Sequence, residues 1–156
     1  MNETLRERIL REAEEQQNER INGFFGEYRW LSNYGLCQIP YKGIIFPSTE
    51  HAYQAMKVDD KLVWEAFAAM PECKHSRRIG QFLKMREDWN TYRVQVMEEV
   101  CRIKFQIPLF KERLLETGDK ELIENNWWND RFWGKHDGDG ENTLGKILMK
   151  IRDEIK

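Results

Sequence analysis

Pro47-Ser48-Thr49-Glu50-His51-Ala52-Tyr53-Gln54-Ala55-Met56-Lys57 is the stretch on which the reading of this chain turns. Pro47 supplies a helix entry, Ser48 or Thr49 an N-cap, and Glu50 falls in the first turn. Positions 50, 54 and 57 are spaced to share one helix face. That face carries a carboxylate, an amide and an amine, while Ala52, Ala55 and Met56 suit burial. A polar stripe on a helix with apolar flanks fits a cleft wall. A plainer role fits the same residues: Glu50 answering the helix dipole, Lys57 on the surface.

Upstream, Cys37-Gln38-Ile39 and Ile44-Ile45-Phe46 flank a turn at Pro40-Tyr41-Lys42-Gly43, which predicts a hairpin. Before it, residues 23–34 form a loop rich in aromatics and glycine. Residues 1–20 read as a charged helical extension with a thin apolar stripe of Leu5, Ile9, Leu10 and Ala13. Residues 21–156 read as one domain. Downstream, Val63, Ala66, Phe67 and Met70 predict a helix over 61–70, ended by Pro71. The basic segment 74–86 permits another short helix. A longer one is expected from near Asp88 to Phe105. Pro108 suits the first turn of the next, and Gly118 its C-terminal cap. Glu121-Leu122-Ile123-Glu124 fits a short strand. A loop over 125–142 precedes a last helix from Asn142, whose buried stripe is Leu144, Ile147, Leu148, Ile151 and Ile155. The fold class expected is α+β, mainly helical, with a small sheet built from the 37–46 hairpin and 121–124.

Composition bounds the function. The chain has 156 residues, 40% hydrophobic and 33% charged, which allows one core under a heavily charged surface. A net charge of −2 argues against an electrostatic nucleic-acid binder. The run from Lys74 to Arg86 holds Lys74, Arg77, Arg78, Lys84 and Arg86 without an acid. It fits a solvated face or an anion site for a phosphate. Cys37, Cys73 and Cys101 are far apart, and the three histidines form no zinc spacing. No structural metal and no cofactor are expected. The charged N-terminus does not look like a signal peptide, and no apolar run approaches spanning length. The expectation is a cytoplasmic protein with no membrane partner.

Two carboxylates draw attention. Glu50 and Asp130 both sit among aromatic, glycine or amide residues, and a pair of carboxylates is the usual equipment of glycosidic cleavage. Lys57 adds a second possibility, because a desolvated lysine loses its proton near neutrality and attacks an imine carbon. Trp89, Trp128 and Trp133 offer faces on which a base stacks. Asp137-Gly138-Asp139-Gly140 suggests calcium but fails the EF-hand spacing. Sequence spacing alone does not bring these segments together.

Several ordered motifs cover residues 24–153: Gly26-x-Tyr28-x-x-Leu31-Ser32-Asn33-Tyr34, Tyr41-x-Gly43, Glu50-His51-x-Tyr53-Gln54-x-x-Lys57, Asp88-Trp89, Arg93, Met97, Lys104-Phe105 and Thr117-Gly118-Asp119. Glu124, Asp130-x-x-Trp133-Gly134, Gly140-x-Asn142-x-Leu144-Gly145 and Leu148-Met149-x-x-Arg152 close the set. In these the chain resembles the NADAR, or YbiA-like, family. Ser76-Arg77 and Gln81 depart from that pattern, and Trp127-Trp128 enlarges its aromatic loop.

The resemblance implies an N-glycosidase that needs no metal. It makes Glu50 an acid/base, Lys57 the nucleophile at the ribose anomeric carbon and Asp130 the loop carboxylate. Tyr28, Asn33, Trp89, Trp128, Trp133, Gly134 and Asn142 become substrate-binding residues. The substrate implied is ADP-ribose on the amino group of guanine, in a nucleotide or within DNA. The alternative is a ribosylamino-pyrimidine phosphate, an early intermediate of riboflavin synthesis. Two other classes stand beside the enzyme: a non-catalytic ADP-ribose or nucleotide-binding module, and an inhibitor acting through the N-terminal helix.

Overall fold

Ser48 starts a helix as its position predicts. In a computed structural model describing residues 2–156, its backbone is extended and its Oγ accepts the N–H of His51 at 3.0 Å. Among the described residues, seven helices and four short strands make up the mainly helical α+β fold that the sequence predicts. They are α1 (Leu5–Glu19), β1 (Arg20–Asn22), β2 (Ile39–Tyr41), β3 (Ile44–Phe46), α2 (Thr49–Ala55), α3 (Lys61–Ala68), α4 (Cys73–Gly80), α5 (Trp89–Lys104), α6 (Pro108–Glu116), β4 (Glu121–Ile123) and α7 (Thr143–Ile155). A 3-10 helix, Gly26–Leu31, follows β1.

The described chain forms two compact units, one of residues up to Tyr28 with Leu114–Lys156, the other Arg29–Arg113. The second unit is built around α2, every residue of which is buried. The hairpin β2–β3, α3, α4 and α5 pack around it. The hairpin turns through Lys42 and Gly43 with φ of 54° and 79°, a two-residue turn needing positive φ at both places. Tyr41 on β2 donates its hydroxyl to Glu99 on α5. Ile39, Phe46, Ala52, Ala55, Met56, Phe67, Val96, Met97 and Val100 fill the core.

In the first unit β1 and β4 pair in parallel, Ile21 opposite Leu122. The strand over 121–123 therefore forms where expected, but it joins β1 and not the hairpin, so the described residues hold two sheets of two strands. The three residues of β1 follow the polar helix α1 directly, and their alternation, Ile21 buried between exposed Arg20 and Asn22, is too short to mark a strand in the sequence. Leu144, Ile147, Leu148 and Ile151 of α7 are buried, and α7 packs on β4. Gly118, with φ of 61°, ends α6 as the C-cap rule predicts. Arg152 donates from α7 to Thr117 Oγ1 at 2.9 Å and to the Lys120 carbonyl at 2.8 Å, closing the turn after α6.

Candidate active site

In the unit Arg29–Arg113, α2 carries the stripe that the sequence picked out. Glu50 and Gln54 are buried at 7% and 5% exposure, and Gln54 Nε2 donates to Glu50 Oε1 at 2.8 Å. The helix ends at Ala55, two residues before Lys57. Its last turn tightens, with the N–H of Lys57 donating to the Gln54 carbonyl and that of Val58 to the Ala55 carbonyl. Lys57 thus leaves the helix but stays close enough for Glu50 to act on its charge.

The backbone at Lys57 is held on both sides. Its carbonyl accepts the N–H of Arg86 at 2.7 Å, and the next carbonyl, Val58, accepts Trp64 Nε1 at 2.7 Å. The Lys57 ammonium donates to the Gly80 carbonyl at 3.3 Å and lies 5.9 Å from the Tyr53 ring centroid. Burial lowers its pKa, Glu50 opposes this, and Arg77 adds to it. The net direction is down from 10.5, towards the neutral amine.

A buried network fixes the start of α2. His51 Nε2 lies 2.9 Å from the Met70 carbonyl, which only accepts, so that nitrogen carries the proton. Nδ1 then accepts the Ser48 hydroxyl at 2.7 Å. Cys73 Sγ lies 3.3 Å from Ser48 Oγ, and His51 itself is fully buried. Burial lowers the His51 pKa, against the hydrogen bond to Met70. Asn33 ties in the preceding loop: its carbonyl accepts the N–H of Glu50, and its Oδ1 accepts Thr49 Oγ1 at 2.8 Å. Lys104, buried, donates to the Ser32 carbonyl at 2.8 Å, and burial lowers its pKa. Asn33 is thus engaged in holding the N-terminus of α2.

Trp89 lies in the same unit. It is 3% exposed and packs 5.1 Å from Tyr53 and 6.4 Å from Tyr92, ring centroid to centroid. A ring so covered presents almost no face to a base. Its packing supports Tyr53, whose ring neighbours Lys57.

In the other unit Asp130 organises its own loop. Its Oδ1 accepts the N–H groups of Phe132 and Trp133 at 3.1 and 2.9 Å. Asn126 brackets it, taking the Asp130 N–H at 2.9 Å and donating to its carbonyl at 2.8 Å. Gly134 is required by close approach, since a Cβ there would meet the Glu124 carbonyl at 1.9 Å. Asn142 is 2% exposed and replaces strand partners for β4, accepting the Glu124 N–H and donating to the Leu122 carbonyl, both at 2.9 Å. Trp127 and Trp128 are exposed at 73% and 38%, with Trp127 5.2 Å from Phe25 and 4.9 Å from Trp128. Trp133 and Tyr28 are half-buried, Trp133 lying 4.8 Å from Phe132.

The structure therefore brings Glu50, Gln54, Lys57 and Tyr53 together, with Trp89 behind them. Gly80 is a residue that reasoning from the sequence missed. It sits in a basic segment, and nothing local marks it as the partner of Lys57.

This chain belongs to the NADAR domain family, whose model matches residues 13–156. A riboflavin biosynthesis protein of Vibrio vulnificus is 39% identical over 131 residues, covering 81% of this chain and 35% of that protein. The chain thus spans little more than a third of that relative's length. The N-glycosidase YbiA of Escherichia coli is 31% identical over 133 residues, covering 83% of this chain and 82% of its relative. The NMR structure of Escherichia coli YbiA superposes with a TM-score of 0.78 at 30% identity, over 88% of this chain and 85% of that one. Among the described residues, no helix is long and apolar enough to cross a membrane.

Proposed function

We propose that this chain is a hydrolase of N-glycosyl bonds that cleaves between ribose C1 and the exocyclic amine of a guanine-like base. Its leading substrate is ADP-ribose carried on guanine, in a nucleotide or in DNA. The observation that carries this reading is Lys57, a held and part-buried lysine biased towards its neutral form, with the Glu50 carboxylate acting on it. Family membership and the name of the YbiA relatives give the reaction class.

The chemistry follows from those two groups. A ribose on an exocyclic amine is a glycosylamine, and it ring-opens to an imine. The neutral Lys57 amine adds to C1, forming a C–N bond. The Glu50 carboxylate takes up in turn the two protons that the attacking Lys57 nitrogen sheds and passes them to the base nitrogen, the C1–base bond breaks, and the electron pair leaves with the free amine. Lys57 is left as a Schiff base. Water adds to C1, the Lys57–C1 bond breaks, and the free sugar departs with the enzyme restored. The rival route passes through an oxocarbenium ion, with Glu50 as a carboxylate beside it. Trp89, covered as it is, is left out of the proposed stacking residues.

The riboflavin name of the Vibrio relative favours a second substrate, the ribosylamino-pyrimidine phosphates. Purified protein incubated with each class, with free base followed by mass, decides between them. Release from neither class, with the protein folded, would end the proposal and leave a binding module.

A further inference from the structure

Gly80, the last residue of α4, presents two different surfaces to the stripe on α2. Its carbonyl accepts the Lys57 ammonium at 3.3 Å. A Cβ at Gly80 would lie 1.9 Å from Gln54 Oε1 and 2.6 Å from Gln54 Cδ, so the Gln54 amide occupies the space that any other residue would claim. From that place Gln54 Nε2 donates to Glu50 at 2.8 Å. Gln54 Oε1 is buried without a hydrogen-bond partner among the described residues. Buried amide oxygens are normally bonded. This amide is held instead by its packing against Gly80 and by its one bond to Glu50.

We infer that Gly80 and Gln54 act as a pair of positioning residues, the bare Cα of Gly80 allowing the Gln54 amide to hold Glu50 while the Gly80 carbonyl holds Lys57. The roles of Glu50 and Lys57 as reacting groups rest on the function proposed above; the positioning itself rests on the geometry alone. Alanine in place of a helical glycine ordinarily favours the helix. At this position it would drive Gln54 from Glu50 and leave the Gly80 carbonyl in place. The Glu50 carboxylate then loses a donor that favours its charged form.

The test is an NMR titration of the full-length protein labelled with 13C at the glutamate carboxyls. Wild type is compared with Gly80→Ala, Gln54→Ala, Gln54→Met and the double variant Gly80→Ala/Gln54→Ala. The midpoint of Glu50 is expected to rise in Gly80→Ala and in Gln54→Met. The double variant should match Gln54→Ala alone, because no amide remains to be displaced. On a cleaved substrate, kcat should fall about tenfold in Gly80→Ala with KM little changed. An unshifted Glu50 midpoint in folded Gly80→Ala, or in folded Gln54→Met, overturns the inference. So does a double variant shifted beyond Gln54→Ala. If Gly80→Ala does not fold, Gln54→Met alone decides. A shifted midpoint in a protein whose wild type releases no base would sink the proposed reaction and leave the positioning intact.

Discussion

Lys57 shows how two opposing effects resolve at one residue. Its neighbours in sequence suggest desolvation, which lowers an amine's pKa, while Glu50 on the same stripe raises it. The balance depends on depth, which spacing along a chain does not encode. In the folded protein burial prevails, and the pKa lies below 10.5. Activity through this amine should rise with pH until Lys57 has lost its proton. Lys57→Arg should be inactive at every pH, because guanidinium keeps its proton. A pH–rate profile of both proteins checks this; turnover by Lys57→Arg would reject the covalent route. The same shift has a consequence for stability. Between the folded pKa and 10.5 the unfolded chain binds more protons at Lys57, so stability should rise with pH there. Urea midpoints of wild type and Lys57→Met should converge as the pH approaches 10.5.

At the scale of elements, α2 was legible because its N-cap, its small residues and its polar stripe agree. Its end was not, since the i→i−3 bonds that close it form where Arg86, ahead of α5, and Trp64 on α3 hold residues 57 and 58. Asp130 was legible as an unusual carboxylate, but its two N–H bonds within the loop became visible only in the fold. Trp89 reads equally as a stacking ring or as core, because a single aromatic at a helix start has no period to decide it. Its burial makes Trp89→Ala a stability change of about 3–5 kcal/mol, to be read from denaturant midpoints. Ser48→Ala should cost about 1 kcal/mol as a lost cap, and more because His51 Nδ1 loses its donor. The His51 network also predicts an acid limb. Folded His51 stays neutral below 6.5 while the unfolded chain takes up a proton. Stability should therefore fall as the pH drops below 6.5, and His51→Gln should flatten that slope.

The whole molecule divides its candidate groups between two units. Glu50, Gln54, Lys57 and Gly80 belong to Arg29–Arg113, while Asp130, Trp128, Trp133 and Asn142 belong to the other. The mainly helical class could be read from periodicity, and the family from ordered motifs that span both units. The parallel pairing of β1 with β4 could not, because it joins residues about a hundred positions apart in sequence through strands of three residues. The central claim is that one lysine of this chain becomes bonded to the sugar. Borohydride added during turnover reduces a Schiff base to a stable amine, and intact-protein mass then reads the product. One sugar adduct per chain is expected, mapped to the peptide containing Lys57 and absent from Lys57→Ala and Lys57→Arg. Full release of base with no adduct, or an adduct on another lysine, would contradict it.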